Sequence, residues 1–287
     1  MPTVQLARTV VEIAGPEAEH FLQNIITTDL GLLGEGEARP GALLTPQGKI
    51  LFDFLVSRAG ADRLRLDVRS DVADDFVRRL MLYKLRAMVE ISKQEQSLVA
   101  AGWETDSASS QTDSTVLRDG RFPEDAGVHR IYARNIAADA SVADWDALRI
   151  RHAVAESGAD YQLGDAFPHD VLLDQNGGVG FRKGCYVGQE VVSRMQHRGT
   201  ARRRVLIVEG DADLPPAGTQ IVAGGKVAGE LGTARGRQGL AIARIDRVKD
   251  AMDQGIALTA ADVPLKLSIP PWASFRFPET TSSAEEA

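Results

Sequence analysis

Residues 182–190 read Arg182-Lys183-Gly184-Cys185-Tyr186-Val187-Gly188-Gln189-Glu190, and Cys185 is the one cysteine of the chain. Gly184 and Gly188 flank it at close range. They permit backbone conformations closed to other residues and let a ligand or partner approach the thiol. Residues 189–196 read as the start of a helix, which places Cys185 just ahead of a positive helix end. That dipole and Lys183 both favour the thiolate, the form that attacks or binds metal. Glu190 acts in the opposite direction if it sits close.

Charge extends the pattern. Arg182, Lys183, Arg194, Arg198, Arg202, Arg203 and Arg204 stand against a single acid, Glu190, so a basic strip is expected that suits an anionic ligand or an acidic partner surface. A plainer reading stands beside it. Free cysteine is among the most buried residue types, and a basic run is often only a solvated face.

Working outward, Pro16 sits inside a helix start, and Phe21/Ile25 and Leu22/Ile26 repeat at helical spacing. Residues 50–56 and 63–68 read as strands joined through Ala59-Gly60-Ala61-Asp62, the second alternating Leu64, Leu66 and Val68. Ser70 is the expected N-cap of a helix that carries Val72, Phe76 and Leu80 on one face. Strand material follows at 87–91. Residues 105–115 read as an exposed loop, and Asp144 as the cap of a helix from Trp145 to about Ser157, stopped by Gly158.

After Thr200, short strands at 205–208, 220–222, 227–231 and 240–244 are punctuated by glycine, and Gly224-Gly225 suits a tight hairpin. Together they predict a small β-barrel. The expected organisation is a body over 1–200, a barrel over 201–277 and a disordered tail over 278–287, where little can be buried.

The 287 residues carry a net charge of −7 and are 44% hydrophobic, enough for a substantial core and a poor match to a general nucleic-acid binder. No stretch approaches the roughly 18–20 apolar residues of a membrane-spanning helix. Residues 1–11 lack the pattern of a secretory leader, and one cysteine excludes an internal disulfide. A reducing cytoplasm is therefore the expected location.

The string from Lys183 to Glu190, followed by Arg194 and Arg198-Gly199, resembles the signature of the YgfZ family of folate-binding proteins that support iron–sulfur cluster assembly. Residues 15–30, 44–56 (with Gly48 and Asp53), 83–91 and 145–152 and the strand-rich C-terminal part are similar to the same family. The resemblance spans roughly residues 5–275. It implies an α+β fold shared with the glycine-cleavage T-protein, an aminomethyltransferase: a folate-binding body with a small C-terminal β-barrel.

The resemblance also implies tetrahydrofolate or a derivative as cofactor, and transient partners among iron–sulfur assembly proteins or client apo-enzymes, mainly of four-iron clusters. Cys185, with Lys183, Gln189 and Glu190, is then the chemical centre. Gly184, Tyr186, Gly188 and Arg194 complete the motif, and Asp170, Asp53 and Asn24 are the implied folate contacts. A carboxylate such as Asp170 suits the adjacent N–H donors of a pterin. Equally, Asp170 could cap a turn with His169. Two departures stand out: Ala153-Val154 replaces the Gly-Ile or Gly-Val of relatives, and Phe52 precedes Asp53 where the T-protein has a second acid.

No site of four cysteines fits within one chain, so any metal role of Cys185 is as a shared iron ligand. Three other readings stay open. Aminomethyl transfer would use Asp53, but without the second acid. Nucleophilic catalysis would need a base such as His197 near Cys185. A scaffold would leave the cysteine incidental. His20, His129, His152, His169 and His197 show no metal-ligand spacing, and Gly41 and Gly48-Lys49 do not match a phosphate loop.

Overall fold

The computed structural model describes residues 1–104 and 114–279. The chain divides into two compact units. The first holds residues 1–145, 163–168 and 173–198, and the second 146–162, 169–172 and the residues from 199 onward.

Nine strands make the sheet of the first unit: β1 (Thr3–Leu6), β2 (Arg8–Ala14), β3 (Glu37–Leu44), β4 (Ile50–Gly60), β5 (Arg63–Arg69), β6 (Glu90–Lys93), β7 (Leu98–Gly102), β8 (Ser114–Asp119) and β9 (His129–Ala133). Their order is β1-β7-β9-β8-β3-β4-β5-β2-β6. Pairing is antiparallel except between β3 and β8. One face of β4 and β5 (Phe52, Phe54, Val56, Leu64, Leu66, Val68) packs in a core with Phe21 and Leu22 of helix α1 (Ala18–Gln23) and Phe76 and Leu80 of α2 (Ala73–Lys84). Phe52 and Phe76 pack with ring centroids 5.3 Å apart and their planes tilted by 57°. The other face of the sheet buries Val10, Leu55, Val99, Leu117 and Tyr132.

Buried charge is paired in this unit. Arg130 lies 3.1 Å from Asp119 and 3.6 Å from Asp67, with Arg121 and Arg8 completing the set. Burial pushes the Asp119 carboxyl up, but Arg121 and Arg130 outweigh it and hold the group below the usual carboxylate range.

Helix α3 (Val142–His152) begins in the first unit and continues in the second, and α4 (Gln189–Arg198) belongs to the first. The second unit is built on a closed antiparallel barrel of β10 (Arg203–Gly210), β11 (Gln220–Ala223), β12 (Lys226–Arg235), β13 (Gln238–Arg244), β14 (Leu258–Ala260) and β15 (Val263–Ser268), in the order β10-β13-β12-β11-β14-β15. Its core, including Leu206, Ile221, Ala241 and Leu265, takes in Ile245, Val248 and Ala251 of α5 (Ile245–Asp253). Gly224 and Gly225 both hold positive φ in the β11–β12 hairpin, as a tight turn requires. Arg149 binds Asp146 and Asp160 at 2.7 Å each and donates to Thr233 at 2.9 Å.

Several local expectations are corrected. Ser70 opens a 3₁₀ turn, and α2 starts at Ala73; the Ser70 hydroxyl accepts a hydrogen bond from Thr9 instead of capping the helix. Ser141 caps α3: Asp144 accepts from the Ser141 N–H and hydroxyl, and the Ser141 oxygen accepts from the Asp144 N–H. This reciprocal box starts the helix earlier than predicted, and the helix ends at His152 rather than near Gly158. The strand expected at 87–91 runs over Glu90–Lys93, because residues 84–87 form a turn. The loop expected at 105–115 and the disordered tail expected at 278–287 fall mostly on 105–113 and 280–287, which lie outside the described residues. No described helix is long and apolar enough to cross a membrane.

Candidate functional site

The cysteine loop is held by a clasp at the end of α1. Thr27 is buried. Its N–H donates to Ala42 of β3, and its hydroxyl oxygen accepts from the Ala42 N–H, both at 2.9 Å. The same hydroxyl donates to the Gly178 carbonyl at 2.6 Å, and the Gly180 N–H donates to the Thr27 carbonyl at 2.8 Å. A side chain at Gly180 would meet Asp29 at 2.9 Å, which is why glycine stands there.

From this clasp the loop turns Lys183 inward. Its ammonium, buried, donates to the carbonyls of Ile26 at 2.8 Å and Thr28 at 2.7 Å. Burial lowers the Lys183 pKa to about 8, with Asp29 opposing the shift. Tyr186 is also buried, its phenol pushed up to about 12 by desolvation, and the Lys183 ammonium stands 5.3 Å from its ring centroid. Next, Gly188 takes φ +79, where a Cβ would meet the Thr45 carbonyl oxygen at 2.5 Å. That carbonyl closes the β3–β4 turn by accepting from the Gly48 N–H at 2.9 Å. Between the two inward anchors, Lys183 and Tyr186, the Cys185 thiol is exposed.

This geometry decides several of the expectations. Cys185 is not a core cysteine. Lys183 is committed to backbone carbonyls, so its charge is spent on holding the loop. Glu190 pairs with Arg194 at 2.7 Å along α4. Gly184 needs no special conformation and has open space around it; of the two flanking glycines, only Gly188 is demanded by the backbone. Gln189 opens α4 as expected.

The seven cations do not form one strip. Lys183 and Arg204 are buried, Arg204 donating to the His169 carbonyl at 2.8 Å. Arg194 pairs with Glu190, Arg202 with Asp246 and Arg203 with Asp170. Arg182 and Arg198 are exposed. The run also crosses from one unit into the other. His197 lies in the last turn of α4, roughly 12 Å along the helix axis from Gln189, which is poor placement for a base serving Cys185.

The implied folate contacts are placed as follows. Asp170 belongs to the second unit, is buried, and lies 3.8 Å from Arg203. In the turn there the His169 carbonyl accepts from the Leu172 N–H at 3.2 Å. Asp53 sits on β4 opposite Ala42, half-buried and pointing away from the Phe52–Phe54 face. Asn24 is exposed and ends α1, its amide nitrogen donating to the His20 carbonyl at 2.8 Å. Among the described residues, no three His, Cys, Asp or Glu side chains gather into a metal-holding group.

Residues 202–275 match the family description CAF17, C-terminal beta-barrel domain. Over most of its length the chain is similar to mitochondrial IBA57 proteins. It is 28% identical over 295 residues to the mouse mitochondrial iron-sulfur cluster assembly factor IBA57, covering 88% of this chain and 82% of that one. The human IBA57 protein is 27% identical, with 92% and 83% covered. The mitochondrial IBA57 homologue of Chaetomium globosum is 30% identical over 257 residues, 76% of this chain; the chain spans only 58% of that relative's length.

The fold is that of the aminomethyltransferase T-protein. The Bartonella henselae glycine cleavage system aminomethyltransferase T superposes with a TM-score of 0.74 at 16% identity, over 96% of this chain and 87% of that one. The cytoplasmic expectation is corrected by these comparisons, since the IBA57 proteins that the chain resembles are mitochondrial. A lone cysteine excludes an internal disulfide and does not tell one compartment from another.

Proposed function

We propose that this protein acts in the assembly or repair of iron–sulfur clusters, with the Cys185 thiol as the group that meets the cluster, and that it binds a folate. The observation that carries this reading is an exposed thiol on a loop pinned at both sides by buried residues, Lys183 and Tyr186. Relatives named iron-sulfur cluster assembly factors support it. So does the resemblance of residues 183–190 to the YgfZ-type signature.

A pinned, solvent-facing thiol suits transfer, because it presents one sulfur at a fixed position without enclosing the cargo. A four-iron cluster takes four thiolate ligands. With one cysteine in the chain, the remaining ligands come from a partner or a second copy, so the complex is transient. A monomeric preparation holding a stoichiometric four-iron cluster would contradict this.

For the folate, Asp170 is assigned the pterin. It is a buried carboxylate whose two oxygens match adjacent N–H donors, although it also neighbours Arg203. Asp53 and Asn24 keep the contacts that the resemblance implies, each to be tested alone by folate titration of a single variant. Aminomethyl transfer is disfavoured by Phe52, whose ring is committed to the core against Phe76 and offers no second acid beside Asp53.

The test uses cells lacking their own family member, in which a four-iron dehydratase is assayed after restoring the intact protein or Cys185→Ala at matched soluble levels. Restoration by the intact protein alone assigns the thiol a chemical role. Equal restoration by both makes the cysteine structural, and restoration by neither removes the assembly reading.

A further inference from the structure

Helix α2 should turn a polar face to solvent once Ala73, Phe76 and Leu80 are buried. Its last turn does not. Met81 is 50% exposed, Leu82 68%, and beyond the helix Leu85 is 88% and Met88 63% exposed. Monomeric proteins seldom gather large apolar side chains on the surface without a partner for them.

Backbone geometry sharpens the point. Leu85 holds φ 44 and ψ −104, and the Ala87 N–H donates to the Lys84 carbonyl at 2.8 Å. This is a type II′ turn with Leu85 at the first central position, where positive φ favours glycine. A leucine there strains the chain and then leaves nearly all of its side chain in water. Such strain persists at functional positions.

The loop is also pinned. The Met88 N–H donates to the Glu17 carboxylate at 2.6 Å. Gly15 lies under the Met88 carbonyl, where any Cβ would come within 2.4 Å of the oxygen. The apolar tips are therefore held out by a fixed backbone, as a preformed binding surface requires.

Charge selects the occupant. Residues 78–88 contain Arg78, Arg79, Lys84 and Arg86 and no acid, in a chain of net charge −7. Arg78 is paired with Asp75; Arg79, Lys84 and Arg86 make no ion pair among the described residues. Beside the tips lies an open cavity of about 790 Å³, bordered by Gly15, Met88, the cations Arg63 and Lys84 and the acids Asp62 and Glu90, so the basic surface is that of residues 79–86 and the hollow itself is mixed in charge. A bilayer surface has no ridge to fill such a hollow, whereas a helix of another protein does.

We infer that residues 81–88 are a docking surface for an acidic amphipathic helix of a partner protein. Leu85 and Met88 receive its apolar face, and Arg79, Lys84 and Arg86 its carboxylates. This surface stands independently of the role given to Cys185.

The test is fluorescence anisotropy of the full-length protein with a labelled peptide of about 18 residues, long enough to form a helix, bearing Leu on one face and Glu on the other. A Lys-for-Glu analogue and phosphatidylserine vesicles are run beside it. The acidic peptide is expected to bind at least about tenfold more tightly than the basic one. Leu85→Gly and Arg86→Glu should each weaken it by a similar factor. Leu85→Gly should at the same time raise Tm, because glycine relieves the turn. Absence of peptide binding, or binding indifferent to both substitutions, overturns the proposal. A fall in Tm for Leu85→Gly overturns it as well, by making the leucine structural. Leu85-dependent binding to vesicles but not to peptide replaces it with a membrane surface.

Discussion

The Lys183 ammonium donates to the Thr28 carbonyl at 2.7 Å, across 155 positions of chain, and with the Ile26 contact it ties the cysteine loop to the end of α1. A hydrogen bond from a charged donor contributes roughly 1.5–3 kcal/mol, offset here by the cost of burying the ammonium. Lys183→Met removes both bonds and strands two carbonyls, so it is expected to cost about 2 kcal/mol or more in urea denaturation. Amide exchange should accelerate over residues 181–188 while the barrel amides keep their protection. Uniform protection across the loop would show that Lys183 is not the anchor.

The same lysine gives a pH signature. Burial places its folded-state pKa at about 8, below the ordinary 10.5. Between those values the unfolded chain binds a proton that the folded chain does not, so stability rises with pH through that window. Below about pH 8 the cost of holding the charge is fully present. Urea midpoints of the natural protein, measured relative to Lys183→Met to cancel other groups, should therefore climb from pH 8 toward 10.5. A falling difference would reverse the assignment. The neutral amine keeps N–H donors, so the loop stays anchored across the range.

Gly188 and Gly184 flank the same thiol with different obligations. At Gly188 an alanine needs φ near +79, costing about 1–2 kcal/mol, and its methyl collides with a backbone oxygen that cannot rotate away. Gly188→Ala should lower stability by about 2 kcal/mol or more. Gly184→Ala meets open space and should stay within about 0.5 kcal/mol. Thermal melts of the two variants decide it, and equal losses would reject the account.

That contrast shows what the sequence makes legible. Local composition reveals the Cys185 loop, the helix that follows it and the Gly224-Gly225 hairpin, because each depends on neighbouring residues. Strand β5 is legible because Leu64, Leu66 and Val68 alternate with polar residues. Strand β3 hides: it is buried on both faces, so no alternation survives, and Pro40 and Gly41 interrupt it. Helix α5 does carry Ile245, Val248 and Ala251 at helical spacing, but charged residues outnumber them in a stretch that otherwise reads as short strands. The Thr27 clasp leaves no trace, since it joins backbone carbonyls to positions some 150 residues away. The basic strip was legible as composition and still misleading, because a run of charges does not say which of them turn inward.

The departure at Ala153-Val154 ends in a last expectation. Helix α3 closes with the Ala153 N–H donating to Ile150 at 3.1 Å and the Val154 N–H to Arg149 at 2.9 Å, a Schellman pattern whose C′ residue is left-handed. Ala153 holds φ 53 there, so the turn that glycine makes without strain is kept by an alanine. The carbonyl of Val154 in turn accepts from Arg149, and Trp272 donates to His152, so the surrounding second unit over-determines the conformation. Ala153→Gly should therefore stabilise the protein by about 1 kcal/mol, relief of strain outweighing the added freedom of the unfolded chain. Equilibrium denaturation measures it. A loss of stability would mean that the buried Ala153 methyl contributes more packing than the backbone strain costs, and that the chain has adapted its core to the substitution.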